Sequence, residues 1–213
     1  MILEEERKEI VNYGKKLIES GLTKGTGGNI SIYNTEENLM AISPSGINYF
    51  KTEPKDVVVL DLNGNIVDGD RKPSSEYPMH KIFYEKRDDI KAVVHAHSIY
   101  ATTISTLRWD IPALSYLVPF AGGKKIPCAE YATFGTEELA EKNYKAMEGY
   151  KACLMANHGL LAGSEDIATA FMIAEQVEFI AELFYRAKAI GEPTILDDAE
   201  MDLMLKKFKS YGQ

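Results

Sequence analysis

Hydrophobic positions along the chain switch repeatedly between helical and strand periods. From about Glu4 to Ser20, Ile10, Gly14, Leu17 and Ile18 share one stripe at helical spacing, and Gly21 follows as a stop. Asn29 to Ile32 alternate as a half-buried strand would, and Leu39 to Ser43 form a second short strand. Asp56 to Asp61 carry a Val57-Val-Val-Leu60 run suited to a fully buried strand, with Asn63-Gly64 as a hairpin turn into Ile66-Val67. Pro73-Ser-Ser-Glu-Tyr-Pro-Met-His80 opens a helix to Lys86 or Arg87, with Ser75 as its expected N-cap. Ile90 to Ala96 read as a strand, Ser98 to Leu107 as a helix, and Ile111 to Gly123 as Pro/Gly-punctuated strand-like pieces. A helix over 136–147 precedes strands at Ala152 to Ala156 and Leu160 to Ala162. The longest helix spans Asp166 to Ile190, and a last one runs from Asp197 to Lys209. Interleaved short strands and helices predict an α/β or α+β fold with a mixed sheet covered by helices.

Composition narrows the field of functions. The 213 residues suit one large domain, 1–213, and the formal net charge of −8 argues against nucleic-acid binding and against docking on an anionic membrane. Cys128 and Cys153 form no CxxC pair and read as reduced thiols. The charged N-terminal residues have no apolar core of a signal peptide, and no apolar run reaches a membrane span, so a cytoplasmic location is expected.

Candidate chemistry centres on Ala92-Val-Val-His-Ala-His-Ser98. On a strand, residues i and i+2 point the same way, so His95 and His97 offer two adjacent corners of a zinc tetrahedron. His158, in Ala156-Asn-His-Gly-Leu160, is a third candidate ligand, and three histidines with an open position suit a catalytic ion. The spacing alone leaves packed or surface histidines as an equal reading. A cupin-type glutamate beyond the second histidine is missing, and Ile99-Tyr100 stand where an HxHxDH hydrolase needs Asp and His. Ser74 and Ser75 at a helix start, Gly28-Asn29 and Ser45-Gly46 are candidate anion contacts, although each reads equally as a cap or a turn. Glu76 is a candidate acid/base, with His80 one turn on.

Taken in order, Gly28-Asn29, Ser43-Pro-Ser-Gly46, Pro73-Ser-Ser-Glu76 with His80, His95-Ala-His97 and Asn157-His-Gly159 resemble the class II aldolase/epimerase family acting on ketose phosphates. Ala121-Gly-Gly123, Ile126-Pro-Cys-Ala129, Tyr131-Ala-Thr-Phe-Gly-Thr136 and Lys207-Phe-Lys-Ser-Tyr-Gly212 extend the resemblance over nearly the whole chain. It implies a single α/β domain with a mixed, mostly antiparallel sheet covered by helices on both faces. It implies Zn2+ on His95, His97 and His158, with Glu76 shuttling a proton and filling the fourth position when substrate is absent. Gly28, Asn29, Ser45, Gly46, Ser74 and Ser75 would hold the phosphate. Tyr116 would handle the proton on the aldehyde oxygen. Phe134, Phe208 and Tyr211 would line the aldehyde pocket, the last two from a neighbouring subunit of a homotetramer with sites between subunits.

The implied reaction is aldol cleavage of a ketose 1-phosphate, foremost L-fuculose 1-phosphate, to dihydroxyacetone phosphate and L-lactaldehyde through a metal-stabilised enediolate. Ser45 stands where threonine is common, and Pro119-Phe120 replace smaller residues, which bears on the sugar more than on the reaction. The rivals are an L-ribulose-5-phosphate 4-epimerase, which typically has aspartate in place of Glu76, and a dehydratase or aldolase on a methylthio- or deoxy-sugar phosphate. A zinc-binding scaffold protein, which would need neither Glu76 nor the serines, is the non-enzyme alternative.

Overall fold

The computed structural model describes residues 1–208. In chain order the elements are α1 (Glu4–Glu19), β1 (Asn29–Asn34), β2 (Leu39–Ile42), β3 (Val58–Asp61), β4 (Ile66–Asp68), α2 (Tyr77–Lys86), β5 (Ala92–Ala96) and α3 (Ile99–Thr106). There follow β6 (Cys128–Ala129), α4 (Glu137–Ala146), β7 (Ala152–Met155), β8 (Gly159–Ser164), α5 (Ile167–Ile190) and α6 (Asp198–Phe208). The strands form one sheet in the order β4-β3-β2-β1-β5-β8-β7-β6. Neighbours pair antiparallel, except β6 and β7, which run parallel. Among the described residues no helix is long and apolar enough to cross a membrane.

Strand alternation divides the apolar residues between two cores, one on each side of the sheet. Ile30, Ala92, Val94, Ala96, Leu160 and Ala162 pack on α1, α3 and α5. Val93, Leu161, Cys153 and Met155 point the other way, into a core with Met79, Ile82 and Phe83 of α2 and Leu139 and Ala140 of α4. A fully buried side chain such as Phe83 contributes about 1.5–3 kcal/mol through its removal from water. In α5, Ala170, Ala174, Val177 and Ala181 fall on one stripe, and their small side chains let the helix lie close against the middle of the sheet.

This two-sided cover changes several expectations. In β1, Asn29, Ile30 and Ser31 are all buried, because α1 covers one face and His80 and Tyr84 of α2 lie against the other. The half-buried alternation expected there does not occur, and two polar residues are enclosed on the α2 side. The buried strand β3 begins only at Val58; Asp56 belongs to a 3-10 turn, where its carboxylate takes Arg71 Nε at 2.8 Å. No strand forms over Ile111 to Gly123 beyond an isolated bridge from Ile111 to Ile126. Pro112 and Pro119 lack the N–H a ladder needs, and 118–121 instead form a 3-10 turn. Helix α2 starts at Tyr77 with Glu76, not Ser75, at its N-cap and no side chain capping it; Ser74 Oγ accepts from the Glu76 N–H at 3.3 Å, just ahead of the helix.

Candidate metal centre and active site

His95 sits in the middle of the sheet, opposite Asn29 of β1 and Leu161 of β8. Its Nδ1–H donates to the Leu160 carbonyl at 2.8 Å, which leaves the Nε2 lone pair free to point out of the sheet. His97 lies one residue beyond the end of β5, yet its Nε2 comes within 2.9 Å of His95 Nε2. Just after it, Glu178 of α5 accepts from Ser98 Oγ (2.6 Å), Tyr100 N (2.9 Å) and Ala101 N (2.8 Å), fixing the start of α3 and with it the exit of the chain from His97. His158 occupies the turn between β7 and β8. Asn157 before it adopts φ 56°, a left-handed conformation that asparagine tolerates, and donates its N–H to the Ser105 carbonyl at 3.1 Å.

Glu76, at the N-terminus of α2, completes the group. Its Oε2 lies 3.4 Å from His95 Nε2 and its Oε1 3.3 Å from His158 Nε2. One ligand atom from each of Glu76, His95, His97 and His158 lies within 4.8 Å of the others. Glu76 Oε1 is buried without a hydrogen-bond partner, an expensive state unless something else engages it. Three imidazole nitrogens and a carboxylate oxygen are the donor set of a catalytic zinc or a related divalent ion, and the residues fit such an ion.

The electrostatics favour neutral rings, the form that binds metal. Burial, and then the neighbouring His97 and His158, hold His95 well below the ordinary imidazole value. Burial of its inner edge, followed by His158, brings His97 to about 4. Burial also lowers His158, with Glu76 opposing the shift. On α2, wholly enclosed His80 falls to about 3 through burial alone. These rings bind protons less readily folded than unfolded, so their contribution to stability is full above about pH 6.5 and is lost as the pH falls toward the folded values. Metal-free protein is therefore expected to weaken steadily below about pH 6.5, and His80→Phe to show a shallower decline. Denaturant midpoints at a series of pH values check this, and parallel profiles for the two proteins would contradict it.

Three loops meet beside this cluster. The bridge between Pro44 and Pro73 joins the loop carrying Ser45 and Gly46 to the loop carrying Ser74 and Ser75. Ser43 ties both to β1: its Oγ accepts from Ile30 N at 3.1 Å and its carbonyl from Ser74 N at 3.1 Å. Ser75 is exposed, whereas Ser74 is buried just ahead of α2. The Ser45 N–H is engaged by the Lys72 carbonyl at 2.9 Å, which leaves its hydroxyl for a ligand. Asn29 is turned inward, Nδ2 on Glu76 Oε2 at 2.9 Å and Oδ1 on His80 Nε2 at 2.5 Å, leaving one amide hydrogen for an anion.

Gly28 has φ +73°, and a Cβ there would stand 2.6 Å from the His95 carbonyl. Gly28→Ala is expected to cost about 2–4 kcal/mol, from the left-handed backbone and from pushing β5 away. Chemical denaturation measures that loss. A change within about 0.5 kcal/mol would mean the loop moves freely.

A cleft of about 300 Å³ opens onto the cluster, lined by Ser75, Glu76, His97, Tyr131, Ala132, Phe134, Asn157 and His158. Phe134, expected to line an aldehyde pocket, lies in the wall of this cleft, and Tyr131 joins it there. Tyr116 and Phe208 do not line this cleft. Tyr116 is exposed and stacks on Phe208 with ring centroids 6.4 Å apart, and Phe120 meets Phe208 edge-on at 4.6 Å. Tyr211 lies outside the described residues. Sequence reasoning passed over Ser31, Tyr84 and Tyr131 as site residues, and read His80 as an outer-partner or core residue rather than a ligand. Polar residues at alternate positions of an otherwise apolar strand, Asn29 and Ser31, were the trace that would have led to them.

Known proteins share this arrangement of the chain. The family model described as Class II Aldolase and Adducin N-terminal domain matches residues 8–185. A 5-deoxy-D-ribulose 1-phosphate aldolase of Bacillus thuringiensis serovar kurstaki is 56% identical over 213 residues, covering 100% of both chains. An L-fuculose phosphate aldolase of Escherichia coli K12 is 40% identical over 206 residues, 96% of this chain and 94% of the other. A solved L-fuculose 1-phosphate aldolase superposes with a TM-score of 0.94 at 53% identity over 96% of each chain.

Proposed function

We propose, because the chain belongs to the class II aldolase family, that it cleaves a ketose 1-phosphate to dihydroxyacetone phosphate and a short aldehyde ending in a methyl group. The observation that carries this reading is the Glu76, His95, His97 and His158 cluster opening into a cleft shared with Ser75. A divalent cation held by the three histidines, zinc in our reading, supplies Lewis-acid stabilisation of the charge left when the carbon–carbon bond breaks. Glu76 delivers a proton to the carbon beside the carbonyl in the cleavage direction. Gly28, Asn29, Ser45, Gly46, Ser74 and Ser75 hold the phosphate at the other end, so its binding energy positions the reacting bond.

The relatives named above act on 5-deoxy-D-ribulose 1-phosphate and L-fuculose phosphate. Both sugars end in a methyl group, and the walls that Tyr131, Ala132 and Phe134 give the cleft carry no charge to meet a second phosphate. We place 5-deoxyribulose 1-phosphate first, on the 56% identity, with L-fuculose 1-phosphate as the second reading, favoured by the solved relative at 53%. Incubating zinc-loaded protein with each sugar, and with L-ribulose 5-phosphate, tests this. Dihydroxyacetone phosphate with acetaldehyde supports the first reading, and with L-lactaldehyde the second. Xylulose 5-phosphate as the main product would replace the aldolase by an epimerase.

Tyr116, which exchanges the proton of the hydroxyl that becomes the aldehyde oxygen, and Phe208 reach the cleft of a neighbouring copy in a cytoplasmic homotetramer. Tyr116→Phe and His97→Ala are each expected to be nearly inactive alone. Mixed tetramers of the two should recover about a quarter of the sites, because each shared site needs one intact partner of each kind. Mixed tetramers as inactive as the separate variants would confine each site to one chain.

A further inference from the structure

Behind Glu76 lies a buried chain of hydrogen bonds of which the reaction derived above uses only Asn29, as a phosphate contact. Asn29 and Ser31 stand at i and i+2 on β1, and His80 and Tyr84 at i and i+4 on α2, so the two pairs face each other across a strand–helix contact. Asn29, Ser31 and His80 are at most 3% exposed and Tyr84 is 7% exposed. The bonds run from Glu76 Oε2 to Asn29 Nδ2 (2.9 Å), Asn29 Oδ1 to His80 Nε2 (2.5 Å) and His80 Nδ1 to Ser31 Oγ (2.7 Å), and then from Ser31 Oγ to the Tyr84 hydroxyl.

Proton counting gives this chain a direction. A carboxylate accepts, so Asn29 must offer its amide nitrogen to Glu76 and its carbonyl oxygen to His80. That carbonyl accepts, so His80 carries its hydrogen on Nε2. Enclosure keeps the ring neutral, hence Nδ1 is bare and Ser31 donates to it. Ser31 has then used its one hydrogen, and Tyr84 donates to Ser31. Every donor points toward Glu76. With the other His80 tautomer, two acceptors would face each other at Asn29, and relieving that clash would turn the amide oxygen onto the Glu76 carboxylate. The chain also distinguishes the two oxygens of Glu76: Oε2 is tethered, and Oε1 is left without a partner beside His158.

We propose that Asn29, His80, Ser31 and Tyr84 form a one-way positioning relay that tethers Glu76 through Oε2 and leaves Oε1 as the oxygen that exchanges a proton with substrate. His80 is the positioning residue that decides which end of the Asn29 amide Glu76 meets. The inference rests on the acid/base role of Glu76 proposed above.

His80→Phe keeps a ring in the space and removes both nitrogens. Its kcat is expected to fall about 10–100-fold, with KM for the sugar phosphate within about twofold and metal content unchanged. Because His80 acts through Asn29, His80→Phe should cost less than about threefold in an Asn29→Ala background. Equal fold losses in both backgrounds, or full activity of the single variant, would overturn the relay. Ser31→Ala gives the same comparison should His80→Phe not fold. A readout independent of turnover is 15N NMR of histidine-labelled protein at pH 7, with and without zinc. A protonated Nε2 and bare Nδ1 at His80 are expected; an Nδ1–H tautomer or a charged ring would overturn the direction. If wild-type protein cleaves no ketose 1-phosphate, the functional reading fails on its own while the tautomer still judges the relay.

Discussion

Glu76→Gln is expected to leave the protein folded and metal-loaded while turnover falls about 10²–10⁴-fold, the range of a lost general acid/base. Glutamine keeps the shape, and its carbonyl oxygen still accepts from Asn29 Nδ2, so the bond now 2.9 Å long survives. The three histidines that would hold the ion are untouched. What disappears is an oxygen able to take a proton and give it back. Dihydroxyacetone phosphate release at saturating substrate, set beside metal content, separates this from a binding defect. Turnover near the wild-type rate would remove Glu76 from the reaction.

His97→Ala should have the other large effect, and by another route. His97 is exposed at the cleft, so its loss leaves the cores intact, unlike that of His95, which is fully buried and bonded to the Leu160 carbonyl. Two imidazoles and a carboxylate then remain around the ion. Affinity is expected to drop by more than the roughly 10–100-fold that follows loss of an outer partner. Activity should vanish as metal is dialysed away and return in part at high zinc concentration, and wild-type protein treated with a chelator should behave alike. Full activity of metal-stripped wild-type protein would sink the Lewis-acid role.

Much of this site is visible in the order of the residues. The i, i+2 spacing of His95 and His97 anticipates their convergence, although only His95 lies inside the strand. Asn157-His-Gly159 reads as a turn presenting His158, and the structure makes it one with a left-handed asparagine. The joining of the serine loops is less legible. It depends on the bridge from Pro44 to Pro73 and on Ser43, whose bonds to Ile30 and Ser74 carry no local signature. The expected serine cap does not form, because α2 begins at Tyr77 and puts Glu76 at the N-cap, and only burial distinguishes Ser74 from the chemically similar Ser75. The partners of His80 could not be read from spacing, since they lie about fifty positions away on β1. Tyr116 and Phe208 come together in one chain although 92 positions separate them in sequence, a contact with no local signature.

The central position of His95 has a consequence for the empty protein. Its strand is laced on one edge to β1 and on the other to β8, and helices lie over both faces. Such a strand opens only when the whole domain does. Its amide hydrogens should be among the last to exchange with heavy water whether or not an ion is present. The sheet itself therefore holds the His95 ring in position, with no ion needed to order it.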